Sequence, residues 1–98
     1  MSITIIIVNW NSGELLAECL RSLEKQTIRP KRVLVVDNAS TDGSLTGAGK
    51  LAGNIAVLRM NSNIGFAAGS NRALIECDTE FVALLNPDAF PEPEWLER

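Results

Sequence analysis

The chain has 98 residues, which is enough for one compact domain and too few for two. With 46% hydrophobic and 21% charged residues, its composition is typical of a soluble globular protein and argues against disorder as the main state. The net charge of -3 argues against a nucleic-acid partner, and no apolar run approaches the roughly 20 residues of a membrane span.

The first half of the chain predicts two buried strands joined by a helix. Residues 3–8 form a β-branched apolar run without alternation, which is typical of a strand buried on both faces. Asn11 and Glu14 have the spacing of a helix capping box. Residues 33–36 predict the second buried strand, and a polar turn follows it. The helix between the strands is indicated by apolar residues at helical spacing, namely Leu15, Leu16, Cys19, Leu20 and Leu23.

The second half of the chain predicts two more strands and further helices. Residues 44–53 predict only a short or irregular helix, because three glycines lower the helix propensity there. The remaining elements follow in chain order: a strand over 55–58, a helix over 66–77 that opens with small side chains, a strand over 81–85 and a helix start over 91–98. This alternation predicts an α/β fold with a mostly parallel sheet of about four strands and right-handed crossovers.

The inventory of reactive side chains narrows the possible chemistry. The sequence has no histidine, which excludes histidine general bases, Ser–His triads and histidine-ligated zinc. Cys19 and Cys77 lie far apart, each within an apolar pattern. We expect both to be buried hydrophobic residues, with a disulfide or a reactive thiol as alternatives.

Ligands of parallel α/β sheets bind beyond the carboxyl ends of the strands, so the polar residues that follow each strand are candidates. Asp88, after the fourth strand, suits a divalent cation whose other ligands are substrate phosphates and water; its alternative role is a turn cap. Asp37, at the end of the second strand, can accept hydrogen bonds from a ribose hydroxyl or a base N–H, or can form an Asx turn or a helix N-cap. Asp42 fits an ordinary turn. Trp10 either lines a ligand pocket or, as we expect, packs on the core or its rim.

Residues 63–72 form a polar loop that leads into a helix with small side chains in its first turn. Helix N-termini attract phosphate, and small residues allow a close approach. Arg72 could offer its positive charge to a diphosphate. The alternative is that the small residues only let the helix pack tightly on the sheet.

Five sequence blocks occur in a characteristic order: residues 8–11, 19–23 with Gln26, 35–44, 63–71 and 84–89. Together they resemble the N-terminal part of a family 2 glycosyltransferase, in the branch that includes rhamnosyltransferase-like enzymes. The resemblance implies a GT-A fold, which is a Rossmann-like three-layer sandwich. It also implies binding of a UDP- or dTDP-type nucleotide-diphosphate sugar, with Mg²⁺ or Mn²⁺ bound alongside the donor.

The resemblance carries roles over to matching residues of this chain. Asp88 corresponds to the last aspartate of the family's Asp-x-Asp motif and would hold the metal, whereas Asn86 replaces the first aspartate of that motif. The neutral Asn86 predicts poor metal affinity without the donor. The residues that the family's pattern places at the donor nucleotide are Asn9, Asn11, Asp37, Asn71 and Asn86.

The reaction implied by the resemblance is inverting sugar transfer to an acceptor hydroxyl, in cell-envelope polysaccharide biosynthesis. We expect residues 1–98 to be the donor-binding part of a longer domain, with the catalytic base and the acceptor-binding part beyond Arg98. The chain alone is then expected to be inactive. The start of the chain lacks the basic residues of a signal peptide, so we expect a cytoplasmic location, free or peripheral at the inner face of the membrane.

Two alternatives come from other functional classes. A receiver-like phosphoacceptor domain is suggested by the acidic end of the strand at residues 33–37, but the acidic strand is second in order, and no lysine follows Lys50. A non-catalytic nucleotide-binding α/β fragment that self-associates through an exposed sheet edge is the other alternative.

Overall fold

A computed structural model describes residues 2–26, 30–45 and 54–88 of the chain. The elements are the strands β1 (Ile3–Asn9), β2 (Arg32–Asp37), β3 (Ile55–Arg59) and β4 (Phe81–Leu85), and the helices α1 (Leu15–Glu24) and α2 (Gly65–Leu74). The strands form one four-stranded sheet in the order β3-β2-β1-β4, and every neighbouring pair is parallel. The predicted α/β class and parallel sheet are therefore confirmed.

The two central strands are buried on both faces because helices cover both sides of the sheet. In β1, Ile5, Ile6 and Ile7 are at most 1% exposed, although their side chains point alternately to opposite faces. This explains why the sequence of β1 is a continuous apolar run and does not alternate. The outer strands β3 and β4 are more exposed, as expected for the edges of a sheet.

The hydrophobic core is divided by the sheet into two clusters. On one face, Leu16 and Leu20 of α1 pack with Ile5 of β1, and Cys19 belongs to the same cluster. On the other face, Ala73 of α2 packs with residues of β1 and β2, and Cys77 packs against that cluster. The disulfide alternative is therefore wrong, because the sheet separates the two thiols, and both are free.

The chemistry of Cys19 follows from its position beneath the sheet. Burial raises the pKa of its thiol to about 11, and the negative charge of Asp88 contributes to the same shift. The thiol is therefore protonated at neutral pH and lacks the nucleophilic thiolate form. The prediction of a buried hydrophobic residue is confirmed for Cys19.

The strand order places a topological switch point between β1 and β4. From β1 the chain moves to β2 and then to β3, with α1 on one face of the sheet. It then crosses to the opposite side of β1 to form β4, with α2 on the other face. In open parallel sheets, the crevice at such a point is where ligands bind.

Two local predictions are wrong. Asn11 does not cap α1: it has a positive φ of 45°, and its side chain accepts a hydrogen bond from another loop, whereas Glu14 precedes the helix without a side-chain cap. Helix α2 ends at Leu74 and not at residue 77, because residues 75 and 76 turn toward β4.

Two further predictions fall on parts of the chain that lie wholly or largely outside the described residues. These are the irregular helix in the glycine-containing segment 44–53 and the helix start at 91–98. Within the described residues, no helix is long and apolar enough to cross a membrane.

Candidate functional site

Asn9 and Asp37 form the centre of the candidate site. They end β1 and β2, and they are direct partners in the parallel register, so residues distant in sequence become neighbours. The Asn9 Nδ2 group donates a hydrogen bond of 2.9 Å to Asp37 Oδ1. Asn9 is fully buried and Asp37 is 3% exposed. A buried carboxylate needs such partners, since its desolvation would otherwise be costly.

The Asp37 carboxylate is held in one orientation by its neighbours. Oδ1 also accepts a 2.7 Å hydrogen bond from Ser40 Oγ, and Oδ2 accepts one of 3.1 Å from the Ser40 backbone N–H. This local contact takes the place of the turn role that the sequence offered as the alternative to ligand binding, although its backbone donor lies three residues after Asp37 and not the two of an Asx turn. The two roles are compatible, because Oδ2 has a single protein donor and a carboxylate oxygen can accept a second one.

The Nδ2 group of Asn9 is fully engaged by the protein. Besides Asp37, its Nδ2 group lies 3.2 Å from Ser40 Oγ and 3.0 Å from Ser44 Oγ. Its Oδ1 accepts a hydrogen bond from Ser12 Oγ. No hydrogen of this amide remains for a ligand, and the contact with Oδ1 of Asp37 holds that carboxylate in place.

A set of hydrogen bonds joins the loop after β1 to the loop after β2. The Asn11 N–H donates to Ser40 Oγ at 2.9 Å, and the Thr41 N–H donates to Asn11 Oδ1 at 2.8 Å. The Gly13 N–H donates to Asp42 Oδ2 at 2.8 Å. Asn11 and Gly13 both have positive φ, a conformation that Asn and Gly tolerate best. We call these three hydrogen bonds the loop clasp: Asn11 with Ser40, Asn11 with Thr41, and Gly13 with Asp42.

Asp42 does more than form the ordinary turn that the sequence indicates. Its Oδ1 accepts a 3.0 Å hydrogen bond from the Ser44 N–H, while Oδ2 accepts the one from Gly13. These backbone donors lower the pKa of Asp42. The ionised form is therefore the one that joins the two loops.

Helix α2 begins beside this cluster and packs closely on the sheet. A Cβ added at Gly69 would lie 3.2 Å from Val8 Cγ1, so the small residue is needed for this approach. The packing explanation for the small residues is thus supported at Gly69. Asn38 Nδ2 donates to the Gly65 carbonyl at 3.2 Å, and Gly65 N–H donates to Asn63 Oδ1 at 2.9 Å. The start of α2 is thereby anchored next to the end of β2.

The end of β4 lies on the other side of β1, and its polar side chains are exposed, unlike those at the ends of β1 and β2. The Cys19 thiol approaches the Asn86 carbonyl at 3.7 Å, which links α1 to this end of the sheet. Asn86 and Asp88 are both exposed. No hydrogen bond or ion pair with another described residue engages the Asp88 carboxylate.

The residues at this end suit a cation that is coordinated mainly by the phosphates of a bound substrate and only partly by the protein. The described part of the chain contains no group of three or more His, Cys, Asp or Glu side chains that could hold a metal alone. Asp88 supplies one free carboxylate and Asn86 one amide oxygen. Mg²⁺ is commonly held by one or two carboxylates, with phosphate oxygens and water as its remaining ligands.

Comparison with known proteins decides the family. Residues 4–98 match the family model described as glycosyl transferase family 2. The chain belongs to that family. A cholesterol galactosyltransferase of Borreliella burgdorferi is 31% identical over 97% of this chain, and the chain spans 27% of its length. An N-acetylglucosaminyl-diphospho-decaprenol L-rhamnosyltransferase of Mycobacterium tuberculosis is 33% identical over 74% of this chain. The matched region makes up 24% of the rhamnosyltransferase.

Solved structures of glycosyltransferases share the fold of this family 2 chain. S. aureus TarS in complex with UDP superposes with a TM-score of 0.88 at 33% identity, over 99% of this chain and 30% of TarS. The mannosyltransferase PcManGT of Pyrobaculum calidifontis, in complex with GDP-Man and Mn²⁺, gives a TM-score of 0.80 at 28% identity, over 90% and 28% of the two chains. The sheet is that of the GT-A fold, and the receiver-like alternative is wrong.

The structure does not bring every predicted site residue of this family 2 chain to one place. Asn9, Asn11 and Asp37 lie together, and Asn86 and Asp88 lie across β1 from them. Asn71 lies on α2 with its side chain exposed.

Arg72 lies near the end of α2, roughly 10 Å along the helix axis from the first residue. Its guanidinium pairs with Glu76 at 3.3 Å. The positive charge therefore points away from the start of α2, and the predicted role at a diphosphate there finds no support.

The sequence did not indicate the exposed Ile64 and Phe66 near the start of α2, nor the polar network around Asn9. Trp10 is 56% exposed, which excludes a position inside the core and leaves the rim of the core and a ligand pocket as its two expected roles. The network around Asn9 involves Ser12 and Ser44, which the sequence did not single out. The available signal was the presence of small polar residues after two adjacent strands, since parallel pairing brings those loops together.

Proposed function

We propose that the carboxyl edge of this sheet binds the nucleoside diphosphate part of a nucleotide sugar, as the donor-binding part of a glycosyltransferase. The observation that carries the proposal is the buried Asn9–Asp37 pair at the ends of two adjacent strands, in a family 2 chain. The similarity to TarS in complex with UDP and to PcManGT in complex with GDP-Man supports the same ligand class. We propose a UDP- or dTDP-type donor.

The nucleoside would bind at the β1–β2 end of the site. Asp37 Oδ2 accepts one hydrogen bond from the protein and can accept a second, which a base N–H or a ribose hydroxyl would supply. The orientation of this carboxylate is fixed before binding, so little entropy is lost in ordering it. The exposed indole of Trp10 offers an aromatic surface beside the same edge. Asn11 contributes through the loop clasp, because its Oδ1 is engaged by Thr41.

The diphosphate would bind at the β4 end, across the switch point. Asp88, with the amide of Asn86 beside it, would hold Mg²⁺ or Mn²⁺ together with the phosphate oxygens of the donor. Such an ion, when bound, offsets the charge that grows on the leaving diphosphate. A single carboxylate predicts that the ion and the donor bind together and that the ion alone binds weakly. The Mn²⁺ in the PcManGT complex supports a divalent cation of this type.

The wider reaction is part of the proposal. Transfer would be inverting, with an acceptor hydroxyl attacking the anomeric carbon as the nucleoside diphosphate leaves. Asp37 and Asp88 are assigned to the donor and Asp42 joins the two loops, so we assign no described residue as the catalytic base. Residues 1–98 would then bind the donor, while the base and the acceptor site would come from elsewhere in a longer protein.

The proposed setting is cell-envelope polysaccharide synthesis, in the cytoplasm or at the inner face of the membrane. The similarity to a rhamnosyltransferase named for a decaprenol-linked substrate supports it. Self-association through an exposed edge of the sheet stays a separate proposal, because it depends on β4 and not on the candidate donor site.

Isothermal titration calorimetry with UDP, dTDP and GDP, each with and without Mn²⁺, tests the donor proposal. We expect UDP or dTDP to bind more tightly with Mn²⁺ than without it. Asp88→Asn should remove this metal dependence, whereas Asp78→Asn, which removes an exposed aspartate before β4, should keep it. The absence of binding to all three nucleotides by the folded chain would refute donor binding. Metal dependence that survives in Asp88→Asn would refute the role of Asp88 alone.

A nucleotide-binding role without catalysis is the second candidate function. The lack of an assignable base among the described residues favours it for this chain by itself. Donor hydrolysis and transfer assays separate the two candidates, because a non-catalytic chain binds the nucleotide and releases no sugar from the donor.

A further inference from the structure

Two serines from different loops hold the buried amide of Asn9. Ser12 Oγ donates a hydrogen bond to Asn9 Oδ1, and Asn9 Nδ2 donates one of 3.0 Å to Ser44 Oγ. Ser12 follows β1 and Ser44 follows β2, so the amide joins the two segments inside the protein. Asn9 is fully buried and Ser44 is 5% exposed. Water therefore has little access to replace the hydroxyl of Ser44.

Contacts on three sides fix the rotation of the Asn9 amide. The oxygen and both hydrogens of a primary amide lie in one plane, which turns about the Cβ–Cγ bond. Its Nδ2 meets Asp37 Oδ1 at 2.9 Å and Ser44 Oγ at 3.0 Å, while Ser12 bonds to its oxygen. Ser40 Oγ is a more distant neighbour of Nδ2, at 3.2 Å. A rotation of the amide would disturb the three shorter contacts together.

The chemistry of the neighbours selects one orientation of the amide. An ionised carboxylate only accepts hydrogen bonds. If the amide were reversed, its oxygen would face Asp37, so that two acceptors would oppose each other and a buried carboxylate oxygen would lose its donor. Leaving a buried acceptor without its donor is costly. The Nδ2 group must therefore face Asp37, as it does in the structure.

The fixed amide distinguishes the two oxygens of Asp37. Oδ1 accepts from Asn9 Nδ2 and from Ser40 Oγ, whereas Oδ2 accepts only the Ser40 N–H among the described donors. A carboxylate oxygen accepts about two hydrogen bonds. Oδ2 is therefore the oxygen with capacity for a ligand, and the amide maintains this difference by holding Oδ1.

We propose that Ser12 and Ser44 are positioning residues of the donor site. They fix the amide of Asn9, the amide holds Asp37 Oδ1, and Asp37 Oδ2 accepts a hydrogen bond from the nucleoside. The inference rests on the proposed donor binding at Asp37. The two serines affect nucleotide affinity only through Asn9 and Asp37, without touching the nucleotide.

The loop clasp does not replace the two serines. None of its hydrogen bonds reaches the Asn9 side chain, and its contact between Gly13 and Asp42 lies at exposed residues. Ser44 touches Asp42 through its backbone N–H, which every substitution except proline retains. Ser44→Ala therefore removes a hydrogen-bond partner of the amide and leaves the donors and acceptors of the clasp in place.

Isothermal titration calorimetry with UDP or dTDP measures the effect on affinity. Ser44→Ala and Ser12→Ala should each weaken binding about fivefold, with or without Mn²⁺, because each removes one hydrogen bond from the amide. Ser44→Thr keeps the hydroxyl and should bind within about twofold of the native chain. Ser22→Ala is the matched control, because the Ser22 hydroxyl bonds within the exposed surface of α1. Unchanged affinity in folded Ser44→Ala would overturn the proposal.

A double-mutant cycle shows whether Ser44 acts through Asp37. Once Asp37→Asn has altered the carboxylate, adding Ser44→Ala should weaken binding by less than about twofold further. A merely structural role of Ser44 would leave its effect on affinity the same in both backgrounds. Full additivity of the two losses would therefore overturn the positioning role.

Hydrogen exchange of the Asn9 side-chain amide, followed by NMR, tests the same contacts without a ligand. The Nδ2 hydrogens should exchange slowly in the native chain and at least several-fold faster in Ser44→Ala, whereas Ser22→Ala should leave their exchange unchanged. Unchanged exchange in Ser44→Ala, in a chain that binds the nucleotide, would overturn the role of the serine alone. Faster exchange in a chain that binds no nucleotide would refute donor binding, and with it the role of both serines at the donor.

Discussion

The two ends of the candidate site are built in opposite ways. At the β1–β2 end, Asn9 and Asp37 are buried and connected by hydrogen bonds to both following loops. At the β4 end, Asp88 is exposed and has no partner among the described residues. The first end is organised before a ligand arrives, whereas the second depends on the ligand for its remaining contacts. This difference suits a rigid nucleoside and a diphosphate that arrives with its cation.

The largest expected effect comes from disturbing the buried end. Asn9→Asp places a second carboxylate beside Asp37, without the amide that donates to it. We expect a loss of about 3 kcal/mol or more in the free energy of unfolding, because the buried Asp37 carboxylate loses its amide donor and faces an uncompensated like charge. Urea denaturation monitored by circular dichroism measures it.

Asn71→Asp is the control for that change, because the same substitution is made at an exposed residue of α2. It should alter the free energy of unfolding by no more than about 0.5 kcal/mol. Similar losses in the two variants would show that the buried network contributes nothing special to stability.

The second effect concerns binding at the same end. Asp37→Asn keeps the size of the side chain and replaces one of its two acceptor oxygens by a donor. We expect at least a roughly tenfold loss of UDP or dTDP affinity, which is about 1.4 kcal/mol, with or without Mn²⁺. Calorimetry at matched metal concentrations measures it. A loss seen only in the presence of Mn²⁺ would assign Asp37 to the metal end and erase the contrast between the two ends.

A smaller effect is expected from the pH dependence of the loop clasp. Because the folded-state pKa of Asp42 is below its usual value of 3.8, its ionised form stabilises the fold. That contribution is present above the unfolded-state pKa and is lost as the pH falls through the lower, folded-state pKa. The melting temperatures of the native chain and of Asp42→Asn should differ near neutral pH and converge in acid. A constant difference down to pH values of about 2 would contradict this role.

The smallest effect is expected at the thiol beneath the β4 end. Cys19 is fully buried with a raised pKa, whereas Cys77 is partly exposed. Iodoacetamide near neutral pH should therefore modify Cys77 and leave Cys19 nearly untouched, as mass spectrometry of proteolytic fragments would show. Both thiols should react in urea. Rapid labelling of Cys19 in the folded chain would mean that the contact between α1 and the β4 end opens readily.

The sequence by itself determined the fold class and the location of the candidate site. The apolar runs of β1 and β2 require burial on both faces, which only a parallel sheet with helices on both sides provides. The polar residues after each strand then mark one edge, because parallel strands all end on the same side. The family followed from the order of those polar blocks.

Only the tertiary structure decided which contacts each of those residues makes. The register of β1 and β2 places Asn9 against Asp37, and this pairing leaves the Asn9 amide with no free hydrogen for a ligand. Because the two loops lie close together, the side chain of Asn11 accepts a hydrogen bond from Thr41 and does not form the predicted capping box. A local pattern shows which hydrogen bonds a side chain can form within its own segment. It contains no information on competing donors from a segment far away in sequence, and those donors determined the contacts here.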